Sequence, residues 1–331
     1  MSMANPTCLR WGLLGTARIN QAVISPIRSS KKSLLLAVAS RLQDKAAQYA
    51  ESWKIPHYYA SYEALLADPE IDVIYNSLPN GLHAEWSIKA MQMGKHVLCE
   101  KPITTNIKEI DAVIETSKKT GMVIAEAFMY RHHPQTLFVK EMIDNGQVGN
   151  LQLIRGSFCY TITRPDNPRL DPHLGGGSLW DVGCYPISYA RYVIGEEPIA
   201  VYGSQVTGLS GIDMLYSGQL SFPGGVISQF ECSFITPFKA LMEITGDRGR
   251  ITIPEPYKPG KRTKILYERD GVTRIIWIKG AELYRGEIED LEDAILLQKP
   301  TRISLDESKG NIVTIEALYR STRLLKSISL K

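Results

Sequence analysis

The first part of the chain alternates short apolar runs with segments of helical hydrophobic spacing. Uninterrupted apolar runs of this length are typical of strands buried on both faces. Glycine, proline and Asp or Asn residues mark the ends of the segments. The predicted strands cover residues 9–14, 34–39, 57–59, 73–75, 96–99 and 123–125, and the predicted helices end near residues 28, 53, 67, 93 and 119. This alternation predicts an α/β domain with a doubly wound parallel sheet.

Beyond residue 128 the alternation gives way to strands joined by short, turn-like links such as Pro223-Gly224-Gly225 and Asp270-Gly271. The predicted strands cover residues 151–158, 201–206, 215–222, 226–233, 241–245, 250–253, 265–269 and 274–278, with helices near 135–144, 283–298 and 308–327. This pattern predicts an α+β domain with a large, mostly antiparallel, open sheet. We therefore divide the 331 residues into domains 1–128 and 129–331.

Composition narrows the class of protein. The net charge of +3 is too small to indicate binding to nucleic acid or to an anionic membrane, and the apolar stretches are too short to span a bilayer. Five scattered cysteines without a C-x-x-C pair argue against a disulfide framework or a zinc site. The first seven residues lack the features of a secretory signal. We expect a cytoplasmic protein without a metal, since no acidic or cysteine cluster accompanies His132 and His133.

A carboxylate and an ammonium follow the predicted strand 96–99, at Glu100 and Lys101. Pro102 ends the strand, because it has no N–H for the ladder and restricts the residue before it. In open parallel sheets, ligands bind at the carboxyl ends of the strands. The pair is either a surface Glu-Lys or part of a binding site, and the preceding chain favours the site.

The turn after the first strand reads Gly15-Thr16-Ala17-Arg18-Ile19-Asn20. A glycine there lets the backbone approach a pyrophosphate at the N-terminus of the next helix. Only the first glycine of the dinucleotide fingerprint G-x-G-x-x-G/A is present, so the turn alone is a weak signal. The second strand ends at Ser40 and Arg41, where NAD enzymes carry a carboxylate against the ribose 2′-hydroxyl. Arg41 is either a solvated loop residue or a partner for a 2′-phosphate, and its position favours NADP(H) over NAD(H).

The fourth predicted strand leads into a loop at the same edge of the sheet. Leu78, Pro79 and Asn80 in this loop are candidates for contact with the cofactor. His83 is either a residue at the start of the following helix or a cofactor contact, and the pattern alone does not choose between them.

The segment 175–186 carries the candidate chemistry of the second domain. Three consecutive glycines let the backbone pass close to another group, and Ser178 is a suitable N-cap. Asp181 and Tyr185 are spaced by four, so they share a face of the predicted helix. Pro186 lacks an N–H, which predicts a kink or a restart of the helix there. A glycine loop with a core tyrosine is the alternative.

Together these blocks resemble the glucose–fructose oxidoreductase, inositol dehydrogenase and rhizopine-catabolism (Gfo/Idh/MocA) family. The resemblance runs from Leu9 to the C-terminus and is carried by the blocks 11–19, 39–41, 79–83, 94–102, 127–131 and 175–185. Within the family the chain is most similar to the dimeric dihydrodiol dehydrogenases and the NADP-dependent xylose dehydrogenases, which share a tyrosine where inositol dehydrogenases have histidine. The chain departs from the family's first turn at Ala17, which replaces the second glycine, and at Asn20, which replaces the third small residue.

The resemblance implies a Rossmann domain that binds NADP(H), and hydride transfer between nicotinamide and a hydroxyl or carbonyl carbon of a sugar or cyclic diol. It implies Tyr185 as general acid/base, Lys101 as the group that lowers the pKa of Tyr185 and stabilises developing negative charge, and Asp181 as the group that orients the substrate or Lys101. The candidates for cofactor contact are Gly15, Thr16, Ala17, Arg18, Ile19, Ser40, Arg41, Leu78, Pro79, Asn80, His83, Glu100, Lys101 and Arg131.

Two other functions stay open: an NADP-sensing regulator of the same fold without turnover, and a reductase of keto-sugar nucleotides. The presence of both Lys101 and Tyr185 favours an enzyme. The predicted open sheet has only two C-terminal helices to cover it, and strands such as 226–233 alternate apolar and polar residues. We therefore expect a homodimer or a tetramer through that sheet.

Overall fold

The computed structural model describes residues 8–330. The expectation about a secretory signal in residues 1–7 lies outside the described residues. The chain forms two compact units. The first unit contains the chain up to Met129 together with Tyr284–Ser308, and the second contains Tyr130–Leu283 and the chain from Lys309 onward.

The first unit is built on a six-stranded parallel sheet with strand order β3-β2-β1-β4-β5-β6. Its strands are β1 (Leu9–Leu14), β2 (Ser33–Ala39), β3 (His57–Tyr59), β4 (Val73–Asn76), β5 (His96–Glu100) and β6 (Ile124–Ala127). Its first helices are α1 (Asn20–Ser29), α2 (Gln43–Trp53), α3 (Tyr62–Ala67), α4 (His83–Gln92) and α5 (Ile107–Thr120). The strand order reverses between β1 and β4, the place where such sheets bind their ligands.

The second unit is built on a nine-stranded sheet with strand order β14-β13-β12-β11-β7-β10-β9-β8-β15. Its elements are α6 (Pro134–Asp144), β7 (Leu151–Cys159), α7 (Cys184–Ile194), β8 (Ala200–Thr207), β9 (Asp213–Ser221), β10 (Ile227–Ser233), β11 (Lys239–Gly246), β12 (Gly249–Ile253), β13 (Arg262–Arg269), β14 (Val272–Lys279) and β15 (Ile328–Ser329). Neighbouring strands are antiparallel except β7 and β10. Both sheets confirm the predicted fold class.

The large sheet has one covered and one open face. Alternate strand residues such as Phe158, Phe230 and Ile244 are buried. Tyr202 and Trp277, which point to the other face, are about half exposed, at 48% and 55%. An antiparallel sheet readily leaves one face to solvent or to another chain, so this face is a candidate interface.

Two further helices, α8 (Arg285–Leu296) and α9 (Leu305–Leu324), precede the short last strand β15. The sequence-based division placed all of 129–331 in the second domain, whereas α8 packs in the first unit. Ile288 and Leu291 enter the core of that unit, and the Ser33 hydroxyl donates to Glu292 at 2.5 Å. The amphipathic pattern of α8 shows that one of its faces is buried. It does not show against which of the two cores that face packs.

Candidate active site

Gly15 follows β1 with a φ of +94°, a conformation that residues with a side chain rarely adopt. A Cβ there would lie 3.1 Å from Cδ2 of Leu78. Asn20 is fully buried, and its Nδ2 donates to the Gly15 carbonyl at 2.9 Å. Asn20 therefore closes the turn from within, which gives its departure from the usual small residue a structural reason. The turn keeps the close backbone approach that a pyrophosphate requires.

Ser40 and Arg41 follow the neighbouring strand β2. Ser40 is buried and its Oγ accepts a hydrogen bond from the N–H of Leu42, whereas Arg41 is exposed. Burial raises the pKa of Tyr62, and the nearby Arg41 guanidinium opposes that rise. The Tyr62 hydroxyl lies 3.9 Å from the place a Cβ on Gly15 would take. An exposed guanidinium thus stands beside the fingerprint turn, where it can pair with a phosphate.

The loop after β4 is held by Asn76, the fully buried last residue of that strand. Its Nδ2 donates to the His83 carbonyl at 3.1 Å and to the Ser87 hydroxyl at 3.0 Å. Its Oδ1 accepts from the N–H of Leu78 at 3.3 Å. One side chain therefore fixes both ends of the loop 77–82 at the carboxyl edge of the sheet.

The end of β5 is tied on both sides of Lys101. The hydroxyl of Tyr75 on β4 donates to Oε1 of Glu100 at 2.5 Å. The N–H of Ile103 donates to the buried Glu126 on β6 at 2.9 Å. The intervening Lys101–Pro102 peptide bond is cis. Lys101 therefore projects from a backbone that is fixed to two neighbouring strands.

A second carboxyl group lies near Glu100. Glu287, in the first turn of α8, is 2% exposed, and neither of its oxygens has a hydrogen-bond partner among the described residues. Burial raises the pKa of Glu287 well above its ordinary value, and the charge of Glu100 adds to the rise. Burial therefore favours the protonated, neutral form of Glu287. Burial and these two carboxyls also raise the pKa of Tyr75 and of Tyr284.

Asp181 and Tyr185 lie on one continuous helical segment of the second unit. A wide π-helical turn, Leu179–Gly183, passes directly into α7. The change comes just before Pro186, where the sequence predicts a kink or restart. Asp181 and Tyr185 are 5% and 4% exposed. Such π-turns occur frequently at functional sites.

Asp213 on β9 caps the start of this segment. Its Oδ2 accepts from the Ser178 hydroxyl and from the N–H of Leu179, both at 2.7 Å. Its Oδ1 accepts from the hydroxyl of Tyr319 at 2.6 Å. Ser178 itself has a helical backbone and makes no side-chain capping bond. The capping role predicted for Ser178 therefore belongs to Asp213, which comes from a distant strand.

Oδ2 of Asp181 accepts two hydrogen bonds of 2.8 Å, from the hydroxyl of Tyr160 and from Nε of Arg169. Arg169 is half exposed, while Asp181 is buried. Burial and the charge of Asp181 raise the pKa of Tyr160, so its hydroxyl remains a donor. The Asp181 carboxylate is thus held in direction by two groups before any substrate binds.

Arg169 belongs to the segment 164–177, which we call the strap. The N–H of Gly177 donates to the Arg169 carbonyl at 3.0 Å, and that of Gly176 donates to the Asp171 carbonyl at 2.9 Å. A Cβ on Gly176 would lie 2.5 Å from the Arg169 carbonyl. The close approach that these glycines permit is therefore to the strap's own backbone.

The Tyr185 ring is enclosed by other aromatic rings. Its centroid lies 5.3 Å from that of Phe158, 5.5 Å from that of Tyr257 and 5.8 Å from that of Tyr130. The Tyr130 hydroxyl donates to Ser188 at 2.9 Å. Edge-to-face and tilted aromatic packing of this kind fixes the direction in which the Tyr185 hydroxyl points.

The sequence-predicted residues fall into three places. Those of the first unit follow β2, β1, β4 and β5, which are neighbours in the sheet, so they gather along one edge. Asp181 and Tyr185 come together on one helical segment. Arg131 is 2% exposed, with its guanidinium carbon 3.7 Å from the ring centroid of Tyr192. That cation–π contact packs Arg131 inside the second unit.

Several residues that organise the site were not marked by the sequence: Asn76, Tyr160, Arg169, Asp213 and Glu287. Tyr160, Arg169, Asp213 and Glu287 act on groups at least 12 residues away along the chain, and Asn76 acts across the two ends of a loop, so no local spacing reveals them.

Nδ1 of His133 accepts a hydrogen bond from the N–H of Gln135 at 3.1 Å, and its Nε2 lies 3.3 Å from the backbone nitrogen of Ala281. Residues 8–330 contain no group of three or more His, Cys, Asp or Glu side chains that could hold a metal. None of the five cysteines, all within that range, forms a disulfide. No helix in the described part of the chain is long and apolar enough to cross a membrane.

The chain is similar to known proteins in sequence and in fold. Residues 9–128 match the model of an oxidoreductase family with an NAD-binding Rossmann fold, and residues 136–252 match the GFO/IDH/MocA C-terminal domain. The chain is 34% identical to D-xylose 1-dehydrogenase (NADP(+)) 2 of Haloferax volcanii, over 97% of this chain and 100% of the relative. It is 31% identical to trans-1,2-dihydrobenzene-1,2-diol dehydrogenase of Danio rerio, over 74% of each chain. A 3-ketoreductase from Actinomadura kijaniata, solved with NADP and TDP-benzene, matches with a TM-score of 0.91 at 25% identity, over 95% of this chain and 98% of that one.

Proposed function

The chain belongs to the Gfo/Idh/MocA oxidoreductase family, and on that premise we propose that it is an NADP-dependent dehydrogenase or reductase acting on CH–OH groups. Its substrate is a sugar or cyclic diol. The observation that carries the proposal is the shared edge at the ends of β1, β2, β4 and β5, where Gly15 follows β1, Arg41 follows β2 and Lys101 follows β5. The family resemblance expected from the sequence is confirmed.

The residues along this edge fit NADP(H). Gly15 leaves no side chain in the turn, and Arg41 offers an exposed cation after β2. When bound, the nicotinamide supplies or accepts the hydride. We assign cofactor binding to the first unit, which contains the predicted domain 1–128, and substrate binding and oligomerisation to the second unit. The proposed contacts are Gly15, Thr16, Ala17, Arg18, Ile19, Ser40, Arg41, Leu78, Pro79, Asn80, Glu100 and Lys101. Arg131 leaves the set expected from the sequence, because it is 2% exposed and packs on Tyr192 inside the second unit.

The proposed reaction requires the transfer of one proton and the stabilisation of negative charge on the substrate oxygen, and residues of the chain do both. By the family resemblance, Tyr185 gives or takes the proton of the substrate hydroxyl. A tyrosine ordinarily titrates near a pKa of about 10, and the ammonium of Lys101 lowers that value towards neutrality. Lys101 also donates to the substrate oxygen as its negative charge grows. Asp181, held by Tyr160 and Arg169, orients the substrate or Lys101.

The experiment is a screen of the purified protein with NADP+ or NAD+ against pentoses, hexoses, inositols and cyclic diols, followed by absorbance of the reduced cofactor. We expect turnover with at least one polyol, with a higher kcat/KM for NADP+ than for NAD+. No turnover with any member, together with tight NADPH binding, would support the regulator instead.

A second candidate substrate is a keto-sugar nucleotide. The observation that favours it is the structural similarity to a 3-ketoreductase solved with NADP and TDP-benzene. Oxidation of NADPH by a dTDP-linked keto-sugar, with no activity on free sugars, would replace the first candidate by the second.

The open face of the large sheet supports a proposal about assembly. Tyr202, Val206, Ile227 and Trp277 expose apolar surface there, beside charged pairs such as Arg155 with Glu243. We propose a homodimer or tetramer through this face, in the cytoplasm, where free cysteines persist. Sedimentation at micromolar concentration should give at least twice the chain mass of 37.0 kDa. A single species of the chain mass would exclude this assembly.

A further inference from the structure

The ring of His83 connects two loops at the carboxyl edge of the parallel sheet. Nδ1 lies 2.7 Å from the carbonyl oxygen of Pro102, and Nε2 lies 2.6 Å from that of Leu78. Leu78 belongs to the loop after β4, and Pro102 directly follows Lys101 after β5. A single side chain therefore spans the gap between the proposed cofactor loop and the proposed catalytic lysine.

The backbone of His83 is fixed as firmly as its ring. Its carbonyl accepts from Nδ2 of Asn76, and it begins α4. The side chain is 1% exposed, so the ring is covered by protein and does not face a ligand directly. This placement argues against direct contact between His83 and the cofactor, and it leaves the two carbonyls as the ring's partners.

The charge state of the ring limits what it can donate. Burial lowers the pKa of His83 to about 4; the two carbonyls oppose this, and the charge of Lys101 adds to the lowering. At neutral pH the imidazole is therefore uncharged and carries one N–H, which donates to one of the two carbonyls. Lys101 is the charged group that faces it.

We propose that His83 is a positioning residue of the reaction: the ring donates its one N–H to one of the two carbonyls and lies against the other, and so sets the position of Lys101 through Pro102 and that of the cofactor loop through Leu78. The inference rests on the proposed function, because it assigns roles to Lys101 and to the loop 77–82. It predicts that the two contacts have different kinetic signatures. Loss of the Pro102 contact acts on kcat, and loss of the Leu78 contact acts on affinity for NADPH.

Two substitutions separate the contacts. The amide nitrogen of an asparagine takes roughly the place of Nδ1, and that of a glutamine takes roughly the place of Nε2. His83→Asn should therefore keep the Pro102 contact, with kcat within about 3-fold of wild type and a Kd for NADPH raised about 3- to 10-fold. His83→Gln should keep the Leu78 contact, with a Kd within about 3-fold and a kcat lowered about 10- to 100-fold, because misplacement of Lys101 is costly.

His96→Asn is the matched control. His96 begins β5, at the opposite end from Lys101, and its Nδ1 accepts from the N–H of Val123 at 2.9 Å. His96→Asn should lower the melting temperature without changing kcat or the Kd for NADPH. The inference is overturned if both His83 variants behave as this control does, or if kcat and Kd change in parallel in both.

Kd is measured by NADPH fluorescence titration, which needs no substrate. If wild type shows no turnover, the proposed function fails, and the titration alone then decides the inference: equal Kd values for the two variants would overturn it. If wild type turns over and the variants match it, the inference fails and the proposed function stands.

Discussion

Arg169 and Asp181 form a salt bridge in which Nε donates to Oδ2 at 2.8 Å, so that a half-exposed cation on the strap holds a buried carboxylate one helical turn from Tyr185. Tyr160 donates to the same oxygen. The strap therefore takes part in the site through Asp181, although half of its own residues are exposed.

The first prediction concerns this salt bridge. Arg169→Ala should lower kcat/KM for the substrate about 10-fold or more, since charge-assisted hydrogen bonds contribute about 1.5–3 kcal/mol and this one is partly screened. Arg169→Lys should recover part of the loss. The control is Arg164→Ala, which removes an exposed strap arginine paired with Asp166. Steady-state kinetics with equal losses for Arg164→Ala and Arg169→Ala would contradict the role of Arg169.

The second prediction concerns the cap on the helical segment. Asp213→Ala leaves the Ser178 hydroxyl, the Leu179 N–H and the Tyr319 hydroxyl without their acceptor. Because these groups are buried, the free energy of unfolding should fall by about 3–5 kcal/mol. Ser178→Ala removes one donor and should lower the free energy of unfolding by about 1 kcal/mol. Urea unfolding measures both, and equal effects would mean that Asp213 does not cap the segment.

The third prediction concerns the buried acid on α8. Burial raises the folded-state pKa of Glu287 above its ordinary value of 4.5, so the native state holds the proton more tightly than the unfolded chain does. The contribution of Glu287 to stability is greatest below pH 4.5 and declines as pH rises towards the folded-state pKa. Relative to wild type, Glu287→Gln should therefore gain stability with increasing pH, by up to about 1.4 kcal/mol per unit.

Urea unfolding of wild type and Glu287→Gln between about pH 5 and about pH 9 measures this difference. Glu289→Gln removes one charge from the exposed face of the same helix and serves as control. The groups that influence Glu287 are Glu100, Tyr75 and Tyr284. A difference that stays constant with pH would show that Glu287 is ionised in the folded protein.

The fourth prediction concerns cofactor choice and needs no substrate. If Arg41 pairs with the 2′-phosphate, Arg41→Asp should weaken NADPH binding by about 10- to 150-fold, because a carboxylate repels the phosphate. NADH binding should change little or improve, since the carboxylate can accept from a free 2′-hydroxyl. Fluorescence titration with both reduced cofactors measures the ratio. If wild type binds NADH as tightly as NADPH, and Arg41→Asp leaves the ratio of the two Kd values unchanged, then Arg41 is a solvated loop residue.

Hydrophobic periodicity was sufficient for most of the fold because it records which faces are buried. Strands β1 to β6 lie within about a residue or two of their predicted bounds, which is the usual uncertainty of strand ends. β15 was missed because Ile328–Ser329 is too short to show alternation. The destination of α8 was also missed, because the polar anchors that fix it, Ser33 with Glu292 and Lys32 with Asp293, join residues far apart in sequence.

The placement of the candidate site residues was predictable where they sit at the ends of strands or on one helix face. Gly15, Arg41, Lys101, Asp181 and Tyr185 are of this kind. Asp213 caps a segment 35 residues before it along the chain, and Asn76 and Arg169 act through loops whose paths depend on tertiary packing. Long-range partners of this type leave no trace in local spacing.

The most direct measurement is the rate of hydride transfer under single-turnover conditions in wild type, Tyr185→Phe and Lys101→Met, with NADPH binding measured in parallel. The account predicts that Tyr185→Phe binds NADPH normally but transfers hydride about 10²- to 10⁴-fold more slowly, the usual contribution of a positioned acid or base. Lys101→Met should lose at least as much, because it removes both the ammonium that lowers the pKa of Tyr185 and the donor to the substrate oxygen. A near-normal rate in either variant would contradict the proposed mechanism.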